Sequence, residues 1–249
     1  SNTFNRWIEL GLFLETSDKI SIREDYFKKL PARTRPGNSK LQLLLLEILM
    51  SDINNVDLWT DKNSKNNDFT RCCCYILGSD LFFLSGSKTI EQIIKKSDQD
   101  SPDLNDSKLL LQNETRITGI KHWMTSLGIL TGSYKPIIDP TIMVRSVTSK
   151  SLNKGEEVVF DEFLKKLNIK FPIMDGGKFR LETEKRLKSR TTNLLHSNKV
   201  SISLSFALRR LESEEIIKFD NKGDAAKFNL LGGDLQSFRE VSHLKYTGG

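Results

Sequence analysis

The side chains best placed to act together lie between residues 185 and 231. The run 185–199, KRLKSRTTNLLHSNK, carries Lys185, Arg186, Lys188, Arg190 and Lys199 and no acidic residue. The stretch after it has helical spacing. Leu204, Leu208 and Leu211 form one stripe, Ser201, Ser205 and Arg209 fall on the other side, and Arg210 is adjacent. A basic run ahead of a helix that opens with small hydroxyls suits the phosphate contacts that hold a protein on a duplex. A turn at DNKGD, residues 220–224, between Ile216–Phe219 and Lys227–Leu231 reads as a hairpin. It places Lys218, Lys222 and Lys227 where a wing would need them. The alternative is an ordinary solvated face of a basic protein, and Glu212, Glu214 and Glu215 weaken the positive field at the helix end.

Little else has the spacing that catalysis needs. His122, His196 and His243 are scattered, with no paired arrangement. GSDLFFLSGSK, residues 78–88, lacks the Gly-Lys-Ser/Thr ending that sets a lysine on a phosphate. Asp220 and Lys222 have the order of a metal nuclease's acid-x-lysine, but at a hairpin tip a metal would be open to water. Cys72, Cys73 and Cys74 are consecutive and point to different sides of a helix, so they cannot supply the paired ligands of a zinc site. The expectation is a non-enzymatic chain with no catalytic residue, no metal and no cofactor.

The bulk properties agree. Across 249 residues the net charge is +6 and 37% of side chains are hydrophobic, which is enough for real cores and permits an anionic partner without requiring one. No run approaches the roughly 18 apolar residues of a membrane span, and LQLLLLEILM at 41–50 reads as a buried helix. A cytoplasmic protein without a secretion signal or membrane contact is expected.

The elements that must position the basic face show a coarse repeat. HWMTSLGI, 122–129, ends a helix at a Leu-Gly pair and passes into a turn at GSY. RWIELGL, 6–12, does the same, with two β-like runs around Thr16-Ser17-Asp18; aligned on the Leu-Gly pairs, Trp7 falls on Met124. FALRRLESEEIIKF, 206–219, is a third version in which Glu214 and Glu215 stand where the helix should end. Three helix-plus-hairpin units, roughly 116 and roughly 88 residues apart, imply an α+β, mostly helical fold of tandem winged helix-turn-helix units. Three unrelated helix–hairpin junctions are the alternative. The units are 1–59, incomplete because the chain opens almost inside a helix; 60–150; and 151–249, which carries the basic face.

Helices are expected at about 41–50, 69–84, from Ser87 or Thr89 onward, 113–127 and 200–213, with TSKSLNKGEE at 148–157 as the main boundary. Residues 234–249 read as a short final helix and a frayed end. In the second unit Arg116, Thr118, Lys121 and His122 are expected to face outward, with Lys135 on the hairpin. Trp123 and Trp7 read as core aromatics.

RWIELGL and HWMTSLGI with their hairpins, and FALRRLESEEIIKF, give the chain a resemblance to the winged-helix accessory proteins of bacterial phage-defence clusters, of the DpdG-like kind. The segments cover well under a quarter of the sequence. The resemblance implies an antiviral-defence subunit that is not itself an enzyme, associated with DNA beside a helicase, ATPase or nuclease that supplies the ATP-driven or cutting step. No site residue carries over with it.

Two functional readings stand. In the first the chain binds double-stranded DNA, with Lys185, Arg186, Lys188, Arg190 and Lys199 on phosphates, Ser201, Ser205, Arg209 and Arg210 at the groove, and Lys222 in the wing. A transcription regulator is a variant of it. In the second the units are a scaffold that holds a larger ATPase or helicase without touching DNA.

Overall fold

Three helices of this chain end in the same way, and the strand pairing beyond each end decides the architecture. The computed structural model describes residues 2–17, 19–30, 39–56, 58–59, 66–79, 89–100, 111, 113–132, 136–187 and 198–248. Helix α1 is Asn2–Glu9, followed by strands β1 (Phe13–Thr16) and β2 (Lys19–Ile22), the short α2 (Glu24–Phe27), α3 (Ser39–Leu49), α4 (Asn67–Gly78) and α5 (Ile90–Gln99). Helix α6 (Glu114–Ser126), β3 (Leu130–Thr131), β4 (Ile137–Ile138), α7 (Thr141–Ser151), β5 (Glu157–Val159), α8 (Phe160–Lys170) and α9 (Lys178–Arg186) come next. The chain finishes with β6 (Lys199–Val200), α10 (Ile202–Ser213), β7 (Ile217–Asp220), β8 (Phe228–Leu231), β9 (Ser237–Val241) and β10 (His243–Tyr246). The fold is α+β, with small sheets set among the helices.

The ends of α1, α6 and α10 share one hydrogen-bond pattern. Leu12 N–H donates to Trp7 O at 2.9 Å, Ile129 to Met124 O at 2.8 Å and Ile216 to Leu211 O at 2.9 Å. One residue earlier, Gly11, Gly128 and Glu215 donate to Ile8, Thr125 and Glu212 O. This is the Schellman end, and it needs a left-handed residue at its turn. Gly11 and Gly128 take φ of +84° and +75°, and Glu215 is forced to +58°. The equivalence aligns Trp7 with Met124 and Leu211. Trp123 is therefore a partner of Trp7 and not its copy: the rings stack at 5.0 Å and 12°, joining α1 to α6.

After α1 and α6 the chain forms the expected antiparallel hairpins, β1 with β2 and β3 with β4. The third hairpin does not form. β7 pairs with β10, which also pairs with β5, in an antiparallel sheet of order β5-β10-β7, while β8 joins β6 and β9. The strong turn signal at Asn221-Lys222-Gly223 is met by a change of sheet. The expected final helix is absent as well, because its residues are β9 and β10. The reason is register: Leu244 sits between Val158 and Phe219 and is fully buried, whereas a helix over the same residues would withdraw it from both partners. Val200, expected to open the helix at 200–213, lies in β6.

α4 is buried along its length apart from the edge of Asp68, its polar first half held by hydrogen bonds from Thr70 Oγ1 to Asn55 Oδ1 at 2.6 Å and from Arg71 Nη1 to Leu58 O at 2.8 Å. α5, α9 and α10 all pack on it, and α10 also packs on α7, which meets α8. One hydrophobic cluster runs from Leu10 to Leu244 through these helices. Glu47 on α3 adds a polar tie, reaching Lys29 at 3.0 Å and Lys170 of α8 at 2.6 Å.

The three ends differ in strain, which gives a paired expectation. Glu215→Gly relieves a left-handed backbone and raises stability by about 1 kcal/mol, while Gly128→Ala imposes the same strain and lowers it by about 1 kcal/mol. Urea denaturation midpoints check both. A loss in the glutamate variant contradicts the account.

Candidate nucleic-acid interface

The helix expected to read DNA is held by a buried ionic cluster. Arg180 on α9 is 1% exposed. Its Nε donates to Glu184 one turn along, and its Nη2 is 4.0 Å from Asp175, close enough for Coulomb attraction and too far for a good hydrogen bond. Burial alone would lower the guanidinium's pKa, but the charges of Glu184 and Asp175 outweigh it and raise the value. Asp175 Oδ2 also accepts the Ser201 N–H at 2.6 Å, and the Ser201 hydroxyl caps α10 by accepting from Leu204 N–H. Ser203 Oγ donates to Leu77 O at 2.5 Å, tying α10 to the end of α4. Gly78 leaves room for the guanidinium, since a Cβ there would collide with Arg180 Nη2.

These bonds correct the sequence-based orientation of two residues. Ser201 and Ser205, expected at a DNA groove, are 1% and 0% exposed. Ser205 Oγ donates to Val200 O at 3.2 Å and accepts the Leu231 N–H at 2.9 Å. The leucine stripe is where it was expected, but β8 and α4 cover the other flank of the helix start. The outward face of α10 begins later, at Phe206, Arg209, Arg210 and Ser213.

The other candidate cations fall into separate groups. Arg209 lies over the Phe238 ring at 5.5 Å, beside Phe206 on its own helix. Arg210 is bound at 2.5 Å by Asp139, which is 3% exposed, and at 3.3 Å by Glu214, which Arg145 also holds. Lys185 and Arg186 end α9, where Arg186 covers the Trp59 ring at 5.1 Å and Arg71 lies at the same distance from that ring. Lys199 is in β6, on the parallel edge of β8. Lys222 is ion-paired with Glu157, and Lys227 reaches Glu240 at 3.5 Å. Lys188 and Arg190 lie outside the described residues, as do His196 and Lys135. In α6, Arg116, Thr118 and His122 face outward as expected, and Lys121 is half-buried in a pair with Glu91.

One cationic feature was not legible in the sequence. Lys218 and Lys245 stand directly opposite each other in β7 and β10, both exposed. Like charges at such positions repel; Glu157, directly opposite Lys245 on its other side in β5, is paired with Lys222, and among the described residues neither lysine has a salt bridge. Only the unexpected pairing of β10 with β7 brings them together.

The three thiols are buried and free. Burial pushes Cys72 and Cys74 up to about 12 and Cys73 well above its ordinary value. Among the described residues no three His, Cys, Asp or Glu side chains gather as a metal cluster, and no helix is long and apolar enough to cross a membrane.

Two measurements check this core. Gly78→Ala displaces a buried charge from its partners and costs about 2 kcal/mol or more, read as a fall in denaturation midpoint. Native protein leaves all three cysteines unreacted toward a disulfide reagent, because the thiolate is the attacking form; guanidinium exposes them. Fast labelling of native protein contradicts the burial.

No curated protein and no solved structure matches the chain. A family model described as DpdG-like matches residues 1–225, from α1 through β7 and short of β8, β9 and β10. With the match spanning most of its length, the chain belongs to the DpdG-like family.

Proposed function

We propose that the chain is a non-enzymatic, double-stranded-DNA-binding accessory subunit of a bacterial phage-defence system, with a winged helix in its C-terminal part. The sheet order β5-β10-β7 carries the reading. In a winged helix the strand between the first two helices and the strand after the third are bridged by the last strand. Here α7, β5, α8, α10, β7 and β10 follow that order, with α9 inserted and with β8 and β9 in the place of the wing. α10 then takes the position of the recognition helix, and Arg209 is the arginine on its outward face free of any carboxylate among the described residues. Lys218 and Lys245 supply a second point of positive charge, offset in part by Glu157 on the far side of Lys245, and the repulsion between the two lysines is relieved by a phosphate beside them. Membership of the DpdG-like family supports the defence context.

A scaffold for a larger ATPase or helicase is the second reading. It is favoured by Phe206 and Phe238, exposed at 42% and 45%, which place apolar surface around Arg209. Aromatic side chains flanking an arginine also suit a protein contact.

Fluorescence anisotropy of a labelled duplex of about 30 base pairs, at two salt concentrations, separates the readings: affinity should fall by about 0.9 log unit per tenfold salt for each phosphate neutralised. The triple variant Arg209→Glu/Lys218→Glu/Lys245→Glu breaks none of the ion pairs described and should bind at least tenfold more weakly. Absence of binding by the wild type at low salt, or equal binding by the variant, overturns the DNA reading.

A further inference from the structure

A cavity of about 430 Å³ opens between α1, the start of α4 and α6, none of which supplies a residue to the duplex reading. Its volume lies in the range of small-ligand sites. One wall is aromatic: Trp123 is fixed from one side by the parallel Trp7 ring and meets Phe69 edge-on at 6.1 Å. Arg6 of α1 and Arg116 of α6 also line it. Arg6 is shared with the exposed Glu9 at 2.8 Å, and Arg116 has no carboxylate partner among the described residues. Asp68 brings the opposing charge to the lining, and Arg71 holds it at 2.5 Å.

Gly119 is the least expected residue of the lining. It sits in the interior of α6, where glycine weakens a helix relative to alanine. A Cβ at this position would meet nothing within 4 Å, so no close approach of backbone or side chain requires the glycine. What its missing side chain does provide is depth in the cavity wall, one turn from Trp123 and three residues from Arg116.

We infer that this cavity binds a 5′-nucleotide, with its planar base against the Trp123–Phe69 wall over Gly119 and its phosphate between Arg6 and Arg116. A rigid aromatic surface is sequence-tolerant toward bases, and two guanidiniums from different helices suit an anion with several oxygens better than a single carboxylate. The same chemistry is offered by a free nucleotide and by the 5′-phosphorylated end of a strand.

Tryptophan emission tests the inference, because Trp7 and Trp123 are two of the chain's three tryptophans. The full chain is titrated with AMP, GMP, a 5′-phosphorylated trinucleotide, adenosine and inorganic phosphate. Saturable quenching by a mononucleotide, tighter than that by adenosine or phosphate, is expected. Quenching by the trinucleotide alone assigns the site to strand ends. Arg116→Glu should weaken binding at least tenfold, and Gly119→Leu should abolish it by filling the cavity. Gly119→Ala, which adds only a methyl group to open space, should keep or raise Tm, and a cooperative thermal transition in Arg116→Glu and Gly119→Leu shows that each is folded when its binding is read. No saturable response to any nucleotide, a response reproduced by phosphate alone, or unchanged affinity in both Arg116→Glu and Gly119→Leu overturns the inference. None of these outcomes depends on binding of duplex DNA, so the two readings stand or fall separately.

Discussion

A fully buried guanidinium organises this protein. Arg180 cannot be left alone in an apolar interior, since an uncompensated charge there costs several kcal/mol. Glu184 and Asp175 compensate it, and each of them fixes something else. Glu184 lies one helical turn along α9, so the pair sets which face of that helix meets α4. Asp175 extends the network to the backbone of Ser201, at the point where α10 starts. The side chain fits only because residue 78 has no Cβ. Position and rotation of the helix proposed to read DNA thus depend on one arginine and one glycine that are about a hundred residues apart in sequence.

The same network explains why the start of α10 is unavailable for contacts outside the protein. A helix N-terminus leaves backbone N–H groups without intrahelical partners, and those groups could serve an anion. Here the Asp175 carboxylate and the Ser201 hydroxyl take up N–H groups at that end, while Ser203 and Ser205 bond to the backbone of neighbouring elements. Surface chemistry is displaced toward Phe206 and Arg209. Many of the nearby cations are occupied by acids: Arg210 by Asp139 and Glu214, Lys222 by Glu157, Arg239 by Glu212. The net positive charge of the chain is therefore less concentrated than the run of lysines and arginines suggests.

Three equivalent helix ends lead to different structures because the Schellman turn specifies only the exit of the chain from the helix. After Gly11 and Gly128 the nearest partner for the emerging strand is local, and a hairpin closes. After Glu215 the emerging strand finds β10 beside it, whose far edge is already engaged by β5. The extra apolar row, Val158–Leu244–Phe219, then covers Phe160 and the helices below it. The stacked pair Trp7 and Trp123 likewise makes an interface between two of the repeated helices, where the sequence showed only tryptophans out of step.

Local patterns were legible in the sequence because their causes are local. Helical spacing located α3, α6 and most of α10, the Leu-Gly pairs located two helix ends, and a cap at Ser87 or Thr89 located the start of α5, where the structure settles on Thr89 with Gln92. The DpdG-like resemblance rested on the segments around the three helix ends, 6–12, 122–129 and 206–219. Pairing was not legible. Asn221-Lys222-Gly223 is a good turn by composition, yet the strands on either side gain more from distant partners than from each other, and residues 237–246 have too few apolar positions to declare themselves an edge strand of one sheet and the central strand of another. The orientation of Ser201 and Ser205 was equally hidden, since small hydroxyls suit a solvated face and a satisfied buried site alike. Where the strongly periodic helices lie, where two of them end and that positive charge is in excess are settled by short-range pattern and composition. Which strands meet, which serines are inside and which cations remain free are settled by packing, because those depend on burial and on partners tens to hundreds of residues away.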